Sequence, residues 1–237
     1  MTCVRRRAGV VSLAVVAALA FAACGSDSDS TASAGSAAPP AVATHDSAEH
    51  TTEPATDRID PVVFHQDMRK LWEDHITWTR LYIVSAVAGL PDLDATAGRL
   101  LQNQADIGAA VATFYGDDAG AALTDLLRQH ILIAADLVAA AKAGDEAAVT
   151  TQSDLWYANA EEIAHFLADA NPAWPFAAVS QMMRTHLDQT LAEATARLTQ
   201  DWDADIAAYD DIHLHILTMA DALADGIVQQ FPERFSA

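Results

Sequence analysis

The sequence predicts an all-α fold, an antiparallel six-helix bundle built from two pseudo-repeated three-helix units. Three observations carry this expectation. From Asp60 onward apolar residues recur in long stripes at the 3.6-residue helical period, and no alternating run reads as a strand. Breakers come only at wide intervals, at Gly89-Leu90-Pro91-Asp92, Gly116-Asp117-Asp118, Gly144-Asp145 and Asn171-Pro172. Segments also recur at a nearly constant offset. Trp72 and His75 are answered 84 residues later by Trp156 and Asn159. Gln104 and Asp106 are answered 82 residues later by His186 and Asp188, and His130 and Asp136 are answered 85 residues later by His215 and Asp221. Loop-length differences account for such drift.

The elements follow in order. Asp60 is an N-cap with Pro61 in the first turn, the position where a missing N–H costs nothing, and the first helix runs to Gly89. The second spans about 94–115 and is closed by Gly116. The third spans about 119–143 and stops at Gly144, the glycine expected at a helix C-terminus. The fourth continues to about residue 170, where Asn171-Pro172 breaks the chain. The fifth covers about 175–199 and the sixth about 203–230, ahead of Phe231-Pro232.

Before these helices lie an expected lipoprotein signal (1–23) and a tether (24–58), leaving 59–237 as the bundle domain. Arg5, Arg6 and Arg7 precede an apolar run over 8–20, too short for a comfortable membrane span. Phe21-Ala22-Ala23-Cys24 departs from the usual Leu-Ala-Gly/Ala-Cys lipoprotein cut only at its first position. Cleavage before Cys24 and acylation of its sulfur, as with palmitate, would anchor the protein to the membrane on the extracytoplasmic side. The stretch to about Asp57 is mostly Ser, Ala, Thr, Pro, Asp and His, and buries too little apolar surface to offset its ordering entropy. It reads as a tether of roughly 35 residues with a reach of about 30–35 Å, and His45 and His50 within it as incidental. Cys3 leaves with the signal and Cys24 is consumed by the lipid, which excludes a disulfide framework and a cysteine-based metal site.

A formal net charge of −20 argues against nucleic acid or anionic headgroups as partners. A solvated acidic surface explains it as well as any functional use. The expected partners are the membrane, through the Cys24 lipid, and a small ligand or a protein. Oligomeric state is not legible.

Helical wheels bring polar residues onto inward faces near the middle of every helix. His75 falls among Phe64, Met68, Trp72 and Ile83; Gln104 among Leu100, Ile107 and Val111; His130 among Leu123, Leu127 and Leu137. Asn159 lies with Trp156, Ile163 and Leu167, His186 borders Val179, Met182 and Met183, and His213 and His215 flank the stripe of Ile212, Ile216 and Met219. In an antiparallel bundle these positions share a height, so a polar layer is expected to cross the core. Buried polar groups must be paired, at about 1–3 kcal/mol each if they are not. Three readings stay open: a hydrogen-bonded network that fixes helix register; a transition metal such as Zn, Cu, Fe or Ni on neutral imidazoles, with Asp106 or Asp188 as ligand or supporting partner; and an organic ligand or haem in a pocket lined by Trp72, Trp78 and Trp156.

Other motifs are mostly negative. Glu162-Ile163-Ala164-His165 has di-iron spacing, but no second Glu-x-x-His accompanies it and His165 sits on the outer edge of its helix. Asp211 and His215 are four apart, which suits either an oriented imidazole or an exposed pair. Met182, Met183, Met219 and the tryptophans read as core filling. No Walker loop, dinucleotide-binding glycine fingerprint or Gly-x-Ser-x-Gly elbow is present.

Leu71-Trp72, His75, Trp78-Thr79-Arg80, the run from Arg99 to Gln104, Asp106-Ile107-Gly108 and His130-Ile131 carry a resemblance. So do Trp156, Asn159-Ala160, Asn171-Pro172, His186-Leu187 and Gln230-Phe231-Pro232. Over about 62–235 the chain resembles an uncharacterised family of exported all-helical bacterial proteins. Some members are labelled glycosyltransferase or acetylglutamate kinase. Both activities need α/β nucleotide-binding architecture, which a chain without strands does not build. The resemblance implies the fold and no catalytic residue. The expectation is therefore a non-enzymatic, envelope-anchored binding protein that holds a metal or small ligand at the histidine layer, the alternative being a structural or partner-binding lipoprotein. Acid–base work by the histidines with Asp106, Asp188 or Asp211 is the enzymatic reading, and no nucleophile accompanies it.

Overall fold

A computed structural model describes residues 58–236. The signal, Cys24, His45 and His50 lie outside the described residues. Six helices follow one another: α1 Pro61–Ala88, α2 Leu93–Tyr115, α3 Asp117–Ala143, α4 Glu146–Ala170, α5 Phe176–Thr199 and α6 Trp202–Gln230. A short 3-10 turn, Pro232–Arg234, ends the path. No described helix is long and apolar enough to cross a membrane.

The ends form where local chemistry dictates. Asp60 accepts from the backbone N–H of Val62 at 2.7 Å, satisfying a donor that has no partner within the helix. Gly89 and Gly144 take the left-handed conformation that closes α1 and α3. Asp145 and Asp201 cap α4 and α6 by accepting from Ala148 and Ala204. The Asp201 cap makes Trp202 the first residue of α6, one earlier than periodicity predicts. α3 begins at Asp117, two residues early, because Asp117 and Asp118 occupy its first turn, where carboxylates meet the positive end of the helix dipole.

Each helix packs against its neighbour in sequence, and α6 returns to α1, closing a ring; α1 also touches α3 and α5 across the interior. This closure is what two three-helix units joined head to tail would give. The cross-contacts of α1 have no equally strong counterpart at α4, so any twofold relation is imperfect. Helices α2 and α3 meet closely at Gly108 and Gly120, where a Cβ on either would stand 2.6 Å from the other's carbonyl oxygen. The main core runs from Phe64, Met68 and Trp72 through Ile107, Leu127 and Ile163 to Ile212, Ile216 and Leu223.

One feature lies beyond periodicity. Ile59 forms an isolated parallel bridge with Phe235, through Ile59 N–H to Arg234 O and Ser236 N–H to Ile59 O, each at 2.9 Å. Phe235 packs 5.2 Å from Phe64 and 5.7 Å from Phe114, which ties the segment after α6 to the start of α1.

Candidate functional site

The stripes of α1 to α5 carry polar side chains inward at mid-height. His75, His130 and His186 are each 3% exposed, Asn159 2%, and Asn103 and Gln104 not at all. Five aromatic rings make a file across the interior: Trp72 to His75 (centroids 5.8 Å apart), His75 to His186 (5.5 Å), His186 to His130 (6.4 Å) and His130 to Trp156 (5.1 Å). The file passes from α1 through α5 and α3 to α4. Its two ends, Trp72 and Trp156, are repeat mates.

Hydrogen bonding fixes one tautomer. Asn159 donates from Nδ2 to the carbonyl of Leu126 at 3.3 Å, so its Oδ1 faces His130 Nδ1, 2.8 Å away, and must accept. His130 therefore carries its proton on Nδ1, and Nε2 is a bare lone pair. That Nε2 is buried with no partner. Gln104 is stretched further. Its Nε2 lies 2.8 Å from the Leu100 carbonyl, 3.1 Å from Asn103 Oδ1 and 3.3 Å from His75 Nδ1, three acceptors for two protons. Asn103 in turn donates to the Leu71 carbonyl at 3.0 Å, so α1 and α2 are stitched beside the layer.

Five atoms of this layer are buried without a hydrogen-bond partner: Trp72 Nε1, Gln104 Oε1, His130 Nε2, Trp156 Nε1 and His186 Nδ1. Gln189 Oε1, one residue before Thr190 on α5, is a sixth nearby on the chain. A native domain leaves few such groups, and each costs about 1–3 kcal/mol. The set contains both donors, the two indole N–H groups, and acceptors, the amide oxygens and the His130 lone pair.

The layer is uncharged at neutral pH. Burial lowers the His75 pKa to about 3, with repulsion from His130 adding to it. Burial also lowers His130 to about 4, against the opposing bond to Asn159. His186 is held well below the usual histidine range by burial and then by the other histidines.

An apolar cavity of about 130 Å³ adjoins the Trp156 end of the file, walled by Ile83, Leu100, Ile131, Val138, Trp156 and Ala194 among others. Trp72 borders a smaller one of about 20 Å³ with Met68, Ile107 and Leu127. Trp78, expected in such a pocket, instead lies under the Arg99 guanidinium, 5.3 Å from its ring centroid.

The geometry departs from the sequence reading at four further residues. His213 faces outward, with Nε2 2.7 Å from Glu73 Oε1, and His215 is half-buried with Nε2 3.0 Å from the Met182 carbonyl. These two flank the α6 stripe on opposite sides, and the flanks of a stripe fall at the seams between helices. Asp106 accepts from Gln102 at 3.0 Å on the outside of α2, and Asp188 accepts from Tyr157 at the α4–α5 surface. Neither carboxylate reaches the histidines. Among the described residues no three His, Cys, Asp or Glu side chains are placed to hold one metal ion. His165 is exposed and stacked on Phe176, in keeping with its surface reading.

A buried ionic cluster was missed. Arg80 lies 2.6 Å from Glu193 and 2.9 Å from Asp205, each carboxylate residue 2% exposed, and Arg197 reaches Asp205 at 3.1 Å. Burial raises the Glu193 pKa to about 7 despite Arg80. Glu193 sits seven residues after His186, two helical turns along one face, and that spacing was the available signal.

Fold and site together define an all-helical bundle with a buried, neutral histidine–tryptophan file. Compared with protein-family models, with curated proteins and with solved structures, the chain matches none.

Proposed function

We propose that the protein is an envelope-anchored lipoprotein, held by a lipid on Cys24, whose bundle binds a small ligand at the mid-bundle layer. One observation carries this reading. Five buried donor and acceptor atoms, on Trp72, Gln104, His130, Trp156 and His186, lack partners in one layer of the core. Their mixture of N–H donors and lone pairs suits a neutral polar group more than an ion. Native mass spectrometry of the full chain is the test. A discrete bound mass that disappears in His130→Leu supports the reading, and unliganded protein alone in both overturns it.

A second reading has its own support. The contacts His75–Gln104, His130–Asn159 and Asn103–Leu71 each cross between helices. In that reading the layer is a register-fixing network completed by buried water, and the lipoprotein is structural or meets a protein partner through its acidic surface. His130→Leu then lowers stability and changes no binding.

A further inference from the structure

The larger cavity and the histidine file share one residue. Trp156 walls the cavity, while its ring stands 5.1 Å from that of His130 at a tilt of 32°. The next residue along α3, Ile131, walls the cavity too. No charged side chain lines it; its only polar groups come from Thr79, Tyr82, Thr190, Thr195 and the Trp156 indole. Thr195 is exposed and Tyr82, Val149 and Leu198 are half-buried, so the cavity approaches solvent there. Trp156, which walls it, has an N–H without an acceptor, Nε1, and His130, whose ring lies against that of Trp156, has a lone pair without a donor, Nε2.

We propose that this cavity holds the hydrocarbon body of a small uncharged amphiphile whose hydroxyl-bearing head, an alcohol, phenol or carboxylic acid, binds between His130 and Trp156. The proposal rests on reading the layer as a ligand site and gives that ligand a chemical class. A hydroxyl oxygen accepts from the indole N–H while its proton is donated to the imidazole lone pair, so one group satisfies both orphans. An ionised carboxylate or an ammonium group has no counter-charge there, and burying it unpaired is far more costly. Size sets the body. An apolar cavity of about 150 Å³ admits benzene, so about 130 Å³ takes roughly six carbons. The 20 Å³ space at Trp72 takes none, which assigns the ligand to one end of the file.

Calorimetric titration of the full chain with phenol and with benzene tests this. Phenol is expected to bind saturably and at least tenfold more tightly than benzene. Trp156→Phe, which keeps an aromatic ring but removes the N–H, is expected to weaken phenol at least fivefold and leave benzene unchanged. Ala194→Phe, which fills the cavity, is expected to abolish both, with Ala134→Leu as the substitute if thermal melting shows that variant unfolded. Equal affinity for phenol and benzene, unaltered in Trp156→Phe, overturns the head-group assignment. Undiminished phenol binding in the filled variants overturns the cavity assignment. If neither probe binds while a bound mass dependent on His130 is seen, the amphiphile proposal falls and the ligand layer stands. If neither probe binds and no such mass exists, both fall.

Discussion

His130 on α3 and Asn159 on α4 meet at 2.8 Å, 29 residues apart in the chain, and His75 on α1 and Gln104 on α2 meet at 3.3 Å with the same separation. The first contact is short and leaves a defined lone pair on the far side of its imidazole. The second is long and shared with two other acceptors. The two histidines are therefore held unequally, and the better-held one sits beside the larger cavity.

The Asn159 contact has a direct consequence. Asn159→Leu leaves His130 Nδ1–H buried without an acceptor, which is expected to cost about 1–3 kcal/mol. Pairing it with His130→Leu removes the orphan and is expected to recover part of the loss. Urea midpoints for the two single variants and the double variant measure the coupling; additive losses would contradict the contact.

Acid should destabilise the bundle. The folded-state pKa values of His75 and His130 fall to about 3 and about 4, and that of His186 is also depressed, all below the unfolded value near 6.5. The unfolded chain then binds more protons, so stability present above pH 6.5 is lost as pH falls toward 4, by about 2 kcal/mol at pH 5 for each of His75 and His130, with His186 acting in the same direction. Glu193 opposes this. Its folded pKa of about 7 is raised, so below pH 7 its protonated form favours the fold. Three histidines outweigh one carboxyl, and the urea midpoint is expected to drop between pH 7 and pH 5. An unchanged or rising midpoint would contradict the buried neutral file.

Arg80 holds two nearly inaccessible carboxylates, with its guanidinium 4.7 Å from the Tyr209 ring centroid. Arg80→Met strands Glu193 and half of the Asp205 pairing, an expected loss of about 3–5 kcal/mol. Adding Glu193→Gln removes one stranded carboxyl group and is expected to restore part of the thermal stability. No restoration would mean that Arg80 acts by packing.

Much of this fold was legible because its punctuation is local. Asp60-Pro61, Gly89, Gly144 and Asn171-Pro172 set helix ends that match to within two residues. The wheels also put His75, Gln104, His130 and Asn159 within broad apolar stripes and His186 at the border of one, and all five lie inside. They did not decide the flanks. Asp106, Asp188, His213 and His215 lie a fraction of a turn from the stripe, and only the packing of the next helix decides which way such residues face. Arg80, Glu193 and Asp205 come from three helices and look like surface charges until the ring closes. The Ile59–Phe235 bridge joins opposite ends of the domain, for which no periodic signal exists.

The close approach of α2 and α3 is also open to test. Gly108→Ala on α2 would set a methyl 2.6 Å from the Gly120 carbonyl, an atom of helical backbone that cannot swing aside. Overpacking of this kind costs about 1–3 kcal/mol or more. Thermal melting of Gly108→Ala beside Gly98→Ala, whose added methyl meets nothing within 4 Å, measures it. Equal melting temperatures would contradict the close packing of α2 on α3.

Whether the layer across the bundle receives a ligand can be read from crystallographic density of protein purified without added ligand. A bound ligand would give continuous non-protein density, larger than a water, within hydrogen-bonding distance of His130 Nε2 and Trp156 Nε1. Separate ordered waters that satisfy Trp72, Gln104, His130, Trp156 and His186 among themselves would contradict it and leave the layer a structural network.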